Sequence, residues 1–301
     1  MKKMILFLGL FIGSLTAAAD PLQVVTTIPD FAAITKEVGG SEVEVIAMAK
    51  GYQDPHFVEP KPSLLMDLRN ADLLEVVGLE LEMGWLPPLL SQSRNPRIMP
   101  GGTGYLDLSR GVEILDRPKG TVDRSMGDIH AMGNPHYWIE PGNAIRVAAQ
   151  INNKLAELRP EKADEFNMRY LDFKLRVNEA HRKWNEIMKP FAGTKIVTYH
   201  NSWPNFVRRY DLDVVDYVEP KPGVPPSPAH TFQLIRKMKK EGVRLIVVEP
   251  YFDLKTPTSI AEKTGASVIV LYPSVGGKEG LDDWISLYDS NIRALAAAMK
   301  R

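Results

Sequence analysis

PEKADEFNMRYLDFKLRVNEAHRKWNEIMKP, residues 160–190, carries apolar side chains at Phe166, Tyr170, Phe173, Val177, Ala180, Trp184 and Ile187. The steps between them alternate four and three, so on a helix they form one continuous stripe. Pro160 suits a first helical turn, and Pro190 ends the pattern. A helix of this length extends about 45 Å at 1.5 Å per residue. Sustained heptad spacing also fits a coiled coil. The aromatic-rich stripe, with αβ segments on both sides, favours a single helix packed along two domains instead.

On the N-terminal side, 22–28 reads as a buried strand rich in Val and Thr, and 29–38 as a helix stopped by Gly39-Gly40. A β-rich segment at 43–48 runs into a turn-forming loop that ends at His56. Ser63 is placed to cap a helix over 64–70, and 73–77 reads as a third strand. Helical spacing returns at 143–158. Residues 91–135 show no clear period, and 117–133 reads as a surface loop containing Asp123, Asp128 and His130. On the C-terminal side the rhythm repeats. Strands are expected at 195–199, 214–218, 245–248 and 268–271, and helices at 203–210, 231–241, 257–264 and 284–299. Residues 220–228 are too proline-rich for regular structure. β-α-β-α order of this kind argues for mainly parallel sheets covered by helices.

The first nineteen residues are set apart from the fold. Lys2 and Lys3 precede an apolar run, and Ala17-Ala18-Ala19 offers a cleavage site before Asp20. That pattern is a secretory leader, too short for a stable membrane anchor. The expected setting is the periplasm, without a lipid anchor, because the chain contains no cysteine. Any metal site must then use His, Asp, Glu or water. The 37 basic and 37 acidic residues, or 35 and 37 without Lys2 and Lys3, give no sign of a nucleic-acid or anionic-membrane partner. Beyond the leader, about 280 residues suit two domains or one large one.

Ligands of open parallel sheets bind beyond the carboxyl ends of the strands. His56 follows the second expected strand and His200 the first strand of the second half. Glu249 and Tyr272 follow two later strands, and His136 lies between the halves in Asn134-Pro135-His136-Tyr137-Trp138. Residues from both halves thus converge on the crevice between them. Three neutral imidazoles suit zinc, and also copper or nickel. A proline before both His56 and His136 limits how far each ring wanders and lowers the ordering cost of binding. Tyr137 and Trp138 read as packing residues behind His136. His181 reads as a surface residue, and His230 as a group that orders the turn before its helix.

GYQDPHFVEPKPS (51–63), Asn70-Ala71-Asp72, GNPHYWIEP (133–141) and Thr198-Tyr199-His200 resemble the metal-binding receptors of zinc and manganese ABC importers. The likeness continues at Pro225-Pro226-Ser227-Pro228 and Val248-Glu249-Pro250, so it runs through the chain in order. It implies an α/β fold of two lobes, each a mainly parallel sheet flanked by helices, joined by one long rigid helix with the metal between them. The divisions are then 1–19 for the leader, 20–159 for the N-terminal lobe, 160–190 for the linking helix and 191–301 for the C-terminal lobe. The resemblance carries metal-ligand roles onto His56, His136 and His200. His200, where manganese receptors often have Glu, leans the site towards Zn2+ over Mn2+ or another divalent transition metal. Such receptors usually add an Asp after the last strand, but here the place is held by Leu271-Tyr272-Pro273. Water, Glu249, Asp253 or His130 then remain as the fourth ligand, with water or Glu249 preferred.

The expected function is a periplasmic receptor, not an enzyme. It would bind zinc as a monomer and deliver it to an ABC-type membrane permease. The alternative is an exported zinc hydrolase, in which the open position of a three-histidine site holds water and Glu249 acts as general base. The absence of His-Glu-x-x-His weakens it.

Overall fold

The computed structural model describes residues 20–120, 122–123 and 126–300. The leader read at 1–19 lies outside the described residues. Two four-stranded sheets, all parallel, form the two halves. The first contains β1 (Leu22–Thr26), β2 (Val43–Ala47), β3 (Leu73–Val76) and β4 (Tyr105–Asp107), in the order β2-β1-β3-β4. The second contains β5 (Lys195–Thr198), β6 (Asp213–Tyr217), β7 (Leu245–Val248) and β8 (Ser267–Val270), in the order β6-β5-β7-β8. The strand order is thus the same in both halves, although their sequences share only a rhythm.

The first lobe's helices are α1 (Pro29–Gly39), α2 (Pro62–Asn70) and α3 (Leu86–Ser93). Helix α4 (Pro141–Leu158) and a short 3-10 turn over Pro160–Lys162 lead into α5 (Ala163–Met188). In the second lobe come α6 (Pro204–Arg209), α7 (Pro228–Glu241), α8 (Lys255–Thr264) and α9 (Trp284–Met299). Pro occupies the first helical turn of α1, α2, α3, α4, α6 and α7, where its missing N–H costs nothing.

Helix α5 is the long helix that joins the lobes. It packs on α1 and α4 on one side and on α9 on the other. Phe166, Phe173, Val177 and Trp184 of its stripe are fully buried. Trp184 lies 6.1 Å from Trp284 and 5.9 Å from Tyr288, and Trp284 stacks on Tyr288 at 4.2 Å. One apolar cluster runs without a break from Leu22 and Val24 of β1, through this stripe, to Ile292 and Leu295 of α9. The outer face of each sheet has a separate core, around Leu68 and Leu74 in the first lobe and Val197 and Ile246 in the second.

The structure departs from the sequence expectations locally. Residues 91–135 contain part of α3 and the edge strand β4, whose three residues are too few to show a period. Ser63 does not cap α2. Pro62 takes the first helical position, Lys61 is the cap residue, and no side chain accepts there. His181 is not a surface residue, because its ring is half-buried beside Trp184 and its Nε2 is buried without a partner.

Glu75, in the centre of the first sheet, is fully buried, with Thr35 Oγ1 donating to its Oε2 at 2.7 Å and its Oε1 unpartnered. Burial pushes its pKa up to about 8, against the opposing hydrogen bond from Thr35. The folded state therefore holds a proton that the unfolded state releases from near pH 4.5 upward. The stability this contributes is present at low pH and is lost as pH rises towards 8. In metal-free protein, Glu75→Gln should gain stability relative to wild type as pH rises from about 5 to about 8, each pKa unit of displacement being worth about 1.4 kcal/mol. Urea unfolding of both proteins across that range checks it. A pH-independent difference would mean that Glu75 stays ionised in the fold.

Candidate metal centre

Three side chains from three separate segments meet at the carboxyl ends of the two sheets. His56 follows β2, His136 opens a 3-10 turn just before α4, and His200 follows β5. Their ring centroids are 5.1 Å (His56 to His136), 5.1 Å (His136 to His200) and 5.6 Å (His56 to His200) apart. One nitrogen from each lies within 4.8 Å of the other two. Among the described residues, this is the only group of three or more His, Asp or Glu side chains arranged to share an ion.

Two of the three are placed by the same local device. In Asp54-Pro55-His56, the Asp54 carboxylate accepts from the His56 backbone N–H at 3.0 Å and from its Nδ1 at 2.7 Å. In Asn134-Pro135-His136, the Asn134 Oδ1 accepts from the His136 backbone N–H and from its Nδ1, each at 2.9 Å. The turn is an Asx turn with proline fixing the central residue, and the side chain that closes it also holds the ring. His200 is held differently. Its Nδ1 donates to the Glu219 carboxylate, which arrives from the end of β6. Thr198 Oγ1 donates to the His200 carbonyl at 2.8 Å and fixes the backbone below the ring.

An oxygen on every Nδ1 sets the tautomer. Each neutral ring carries its proton on Nδ1 and leaves a bare lone pair on Nε2, the arrangement a metal requires. His136 Nε2 is buried and has no hydrogen-bond partner. Burial, then the neighbouring rings of His200, His56 and His130, hold the His136 pKa well below its ordinary value. The ring is thus unprotonated at neutral pH, as metal binding requires. At His200 burial works downward too, but the hydrogen bond and charge of Glu219, with Glu249 and Asp54, outweigh it and raise the pKa.

Glu219, not singled out in the sequence, is 5% exposed and therefore shielded from bulk water. Its only sequence signal was a position one residue past an expected strand end, in the same lobe as His200. Glu249 falls outside the group that could share an ion. It is completely buried, and Trp203 Nε1 donates to its Oε1 at 2.8 Å. Burial pushes its pKa up to about 7, opposed by the charge of His200 and the Trp203 bond. Asp253 is exposed and accepts from the Lys255 backbone N–H at 3.0 Å.

The segment after β8 is turned to packing. Tyr272 N donates to Asn291 Oδ1 at 3.0 Å, Asn291 Nδ2 donates back to the Tyr272 carbonyl at 2.7 Å, and the Pro273 carbonyl accepts from Trp138 Nε1 at 3.0 Å. Gly51 of the first lobe lies against the same segment. A Cβ there would fall 2.1 Å from the Val275 carbonyl oxygen, so only glycine allows the approach. Tyr137 and Trp138 pack as expected, Tyr137 OH donating to the Val77 carbonyl at 2.9 Å. His230 Nε2 meets the Tyr217 carbonyl at 3.0 Å, which ties the first turn of α7 to β6.

Two openings flank the histidines. A cavity of about 220 Å³ is lined by His56, Phe57, His200, Glu219 and Phe252. A larger one of about 590 Å³ lies under the 116–133 connection and reaches His136 and His200.

The sequence model of the family described as zinc-uptake complex component A, periplasmic, matches residues 24–298. The zinc-binding protein AdcA of Streptococcus pyogenes serotype M1 is 25% identical over 292 residues, covering 91% of this chain and 56% of that protein. The chain thus spans a little over half the length of the Streptococcus pyogenes AdcA relatives it matches. The high-affinity zinc uptake system protein ZnuA of Bacillus subtilis is 23% identical over 291 residues, covering 94% of this chain and 89% of that one. A crystal structure of ZnuA superposes with a TM-score of 0.77 at 27% identity, covering 93% of this chain and 99% of that one. A zinc-bound ZnuA deletion mutant gives 0.74 at 26% identity, covering 93% and 97%.

Because Glu219 fixes both the tautomer and the direction of His200, Glu219→Ala should weaken zinc affinity about 10- to 100-fold. The stoichiometry should stay unchanged. Competition with a chromophoric chelator measures this, and wild-type affinity in the variant would show that Glu219 serves packing alone.

Proposed function

The chain belongs to the family of zinc-uptake complex component A, periplasmic, and from that premise we propose that it captures one Zn2+ between its lobes and hands it to an ABC-type membrane permease. The observation that carries this reading is the His56, His136 and His200 group, with every Nδ1 held by an oxygen and every Nε2 left for the ion. Zinc is the cargo, and the chain performs no chemistry on it. Neutral imidazoles favour a borderline ion and discriminate against Mg2+ and Ca2+, which take oxygen ligands. Manganese stands lowest among the divalent first-row metals in affinity for such a site, so its capture is weaker.

On this reading the chain acts as a monomer in the periplasm, after removal of the leader at 1–19. The units are 20–159, 160–190 and 191–301. The absence of cysteine speaks against a lipid anchor, although one relative in Streptococcus parasanguinis is named a lipoprotein. Among the described residues no helix is long and apolar enough to cross a membrane. Glu249 stands behind His200 as a buried acid and is not a ligand. Its burial and its bond to Trp203 leave it poorly placed as the general base that a hydrolase would need. Because the lobes share a core along α5, release involves small tilts of the lobes, without wide hinge opening.

Calorimetry on metal-stripped protein should show one zinc per chain. Binding should vanish when His56, His136 and His200 are changed together to Ala, and Mn2+ should bind more weakly than Zn2+. A zinc affinity no tighter than micromolar would refute the proposal.

A further inference from the structure

A fourth histidine reaches the head of the cleft. His130 comes from the connection between β4 and the Asn134-Pro135-His136 turn, and its Nε2 lies 3.2 Å from Nε2 of His56. His56 Nδ1 is committed as a donor to Asp54, so the neutral ring has no proton on Nε2. The other partner of His130 is the Leu79 backbone carbonyl, which can only accept. With the His130 proton on Nδ1, towards that carbonyl, two lone pairs face each other at 3.2 Å; with it on Nε2, His130 donates to His56.

Two acceptors in that position repel unless a cation lies beside both. In a tetrahedral site with Zn–N bonds of about 2.0–2.1 Å, neighbouring ligand nitrogens stand about 3.3–3.4 Å apart. The spacing between His56 and His130 is close to one edge of that tetrahedron, although His130 lies outside the group whose nitrogens are all within 4.8 Å, so its ring must move towards His136 and His200 to complete the site.

The backbone that positions His130 is strained in the way functional sites often are. Leu79 and Glu80 both hold positive φ, at 53° and 68°. Neither is glycine, and such conformations persist only where the surroundings impose them. The effect is to bring the Leu79 carbonyl to the His130 ring and the Glu80 carboxylate to the next residue, whose backbone N–H (Ala131) donates to Glu80 Oε2 at 2.7 Å. On the other side, Asp128 N donates to the Pro222 carbonyl at 2.9 Å. Gly223 has φ +72°, and a Cβ there would fall 2.1 Å from Asp128 Oδ2. The segment carrying His130 is thus tied to the first lobe by Glu80 and to the second by Pro222.

We propose that His130 is the fourth nitrogen donor to the ion held by His56, His136 and His200, in the position for which the segment after β8 brings no carboxylate. The inference rests on the reading that those three histidines hold the ion. It makes the centre a four-imidazole site closed by a strap that touches both lobes.

The test uses the full mature chain, with Co2+ as a spectroscopic stand-in and Zn2+ in competition with a chelator. In wild type, Co2+ should give the intense visible bands of a tetrahedral all-nitrogen site. His130→Ala should still bind one ion. Its cobalt bands should weaken and shift as water takes the vacated position, and its zinc affinity should fall at least about tenfold. Glu80→Ala should cause a smaller fall with an unchanged cobalt spectrum, because it loosens the strap but keeps the donor. The cobalt spectrum reports the ligand set directly, so it decides even if the variant is less stable. A cobalt spectrum and a zinc affinity in His130→Ala identical to wild type would overturn this inference and leave the three-histidine reading standing. A wild-type protein that binds no zinc would overturn that reading itself.

Discussion

The apolar stripe of α5 is buried against both lobes at once, and the width of the cleft follows from it. Phe173 and Trp184 both meet Trp284 of α9, Trp184 also meets Tyr288, and Phe166 belongs to the same continuous core. A core that crosses from one sheet to the other cannot open without exposing large aromatic side chains. Burying a Phe or Leu side chain stabilises by roughly 1.5–3 kcal/mol, so a wide hinge motion would forfeit many such contributions. The three histidine segments are thereby held at nearly fixed separations.

Within that frame the centre is arranged as a set of oriented lone pairs. Asp54, Asn134 and Glu219 each hold one Nδ1, and the three are not equivalent. Asn134 is neutral, while Asp54 and Glu219 can carry charge. A doubly charged ion at the three histidines would therefore meet two nearby carboxylates outside the group of three. Such partners make a ligating imidazole more basic without adding a hard oxygen to the coordination sphere.

Much of this was legible in the sequence, for physical reasons that can be named. The stripe from Phe166 to Ile187 has the helical period, and most strands ran within a residue or two of their observed bounds because Val and Ile runs between Gly and Pro are unambiguous. The histidines stood out because strand ends and Asx-Pro turns are places where a parallel fold puts its ligands. What could not be read were features set by tertiary contact. β4 has three residues and exists because β3 offers it a paired edge. The half-burial of His181 depends on its neighbours in space. Glu219 meets His200 across a strand pair, 19 residues apart. His130 lies in a segment with no period at all, and its place depends on a backbone conformation at Leu79 and Glu80 that no propensity favours.

The shared strand order has an electrostatic consequence. In both sheets every strand runs towards the cleft, so the helices that follow begin there, as α1 does at Pro29 and α6 at Pro204. Each of those ends carries partial positive charge from aligned peptide dipoles, equivalent to roughly half an elementary charge. Such a field suits anions, and it works against a cation. Buried acids also sit at the strand ends, and burial pushes Glu82 and Glu249 each up to about 7, so near neutral pH each carries only part of a negative charge. Glu82 accepts from Thr27 and from the Val77 and Gly78 N–H groups in one lobe, while Glu219 and Glu249 stand in the corresponding region of the other. A fold whose native polarity favours phosphate or carboxylate thus places acidic side chains where its dipoles converge.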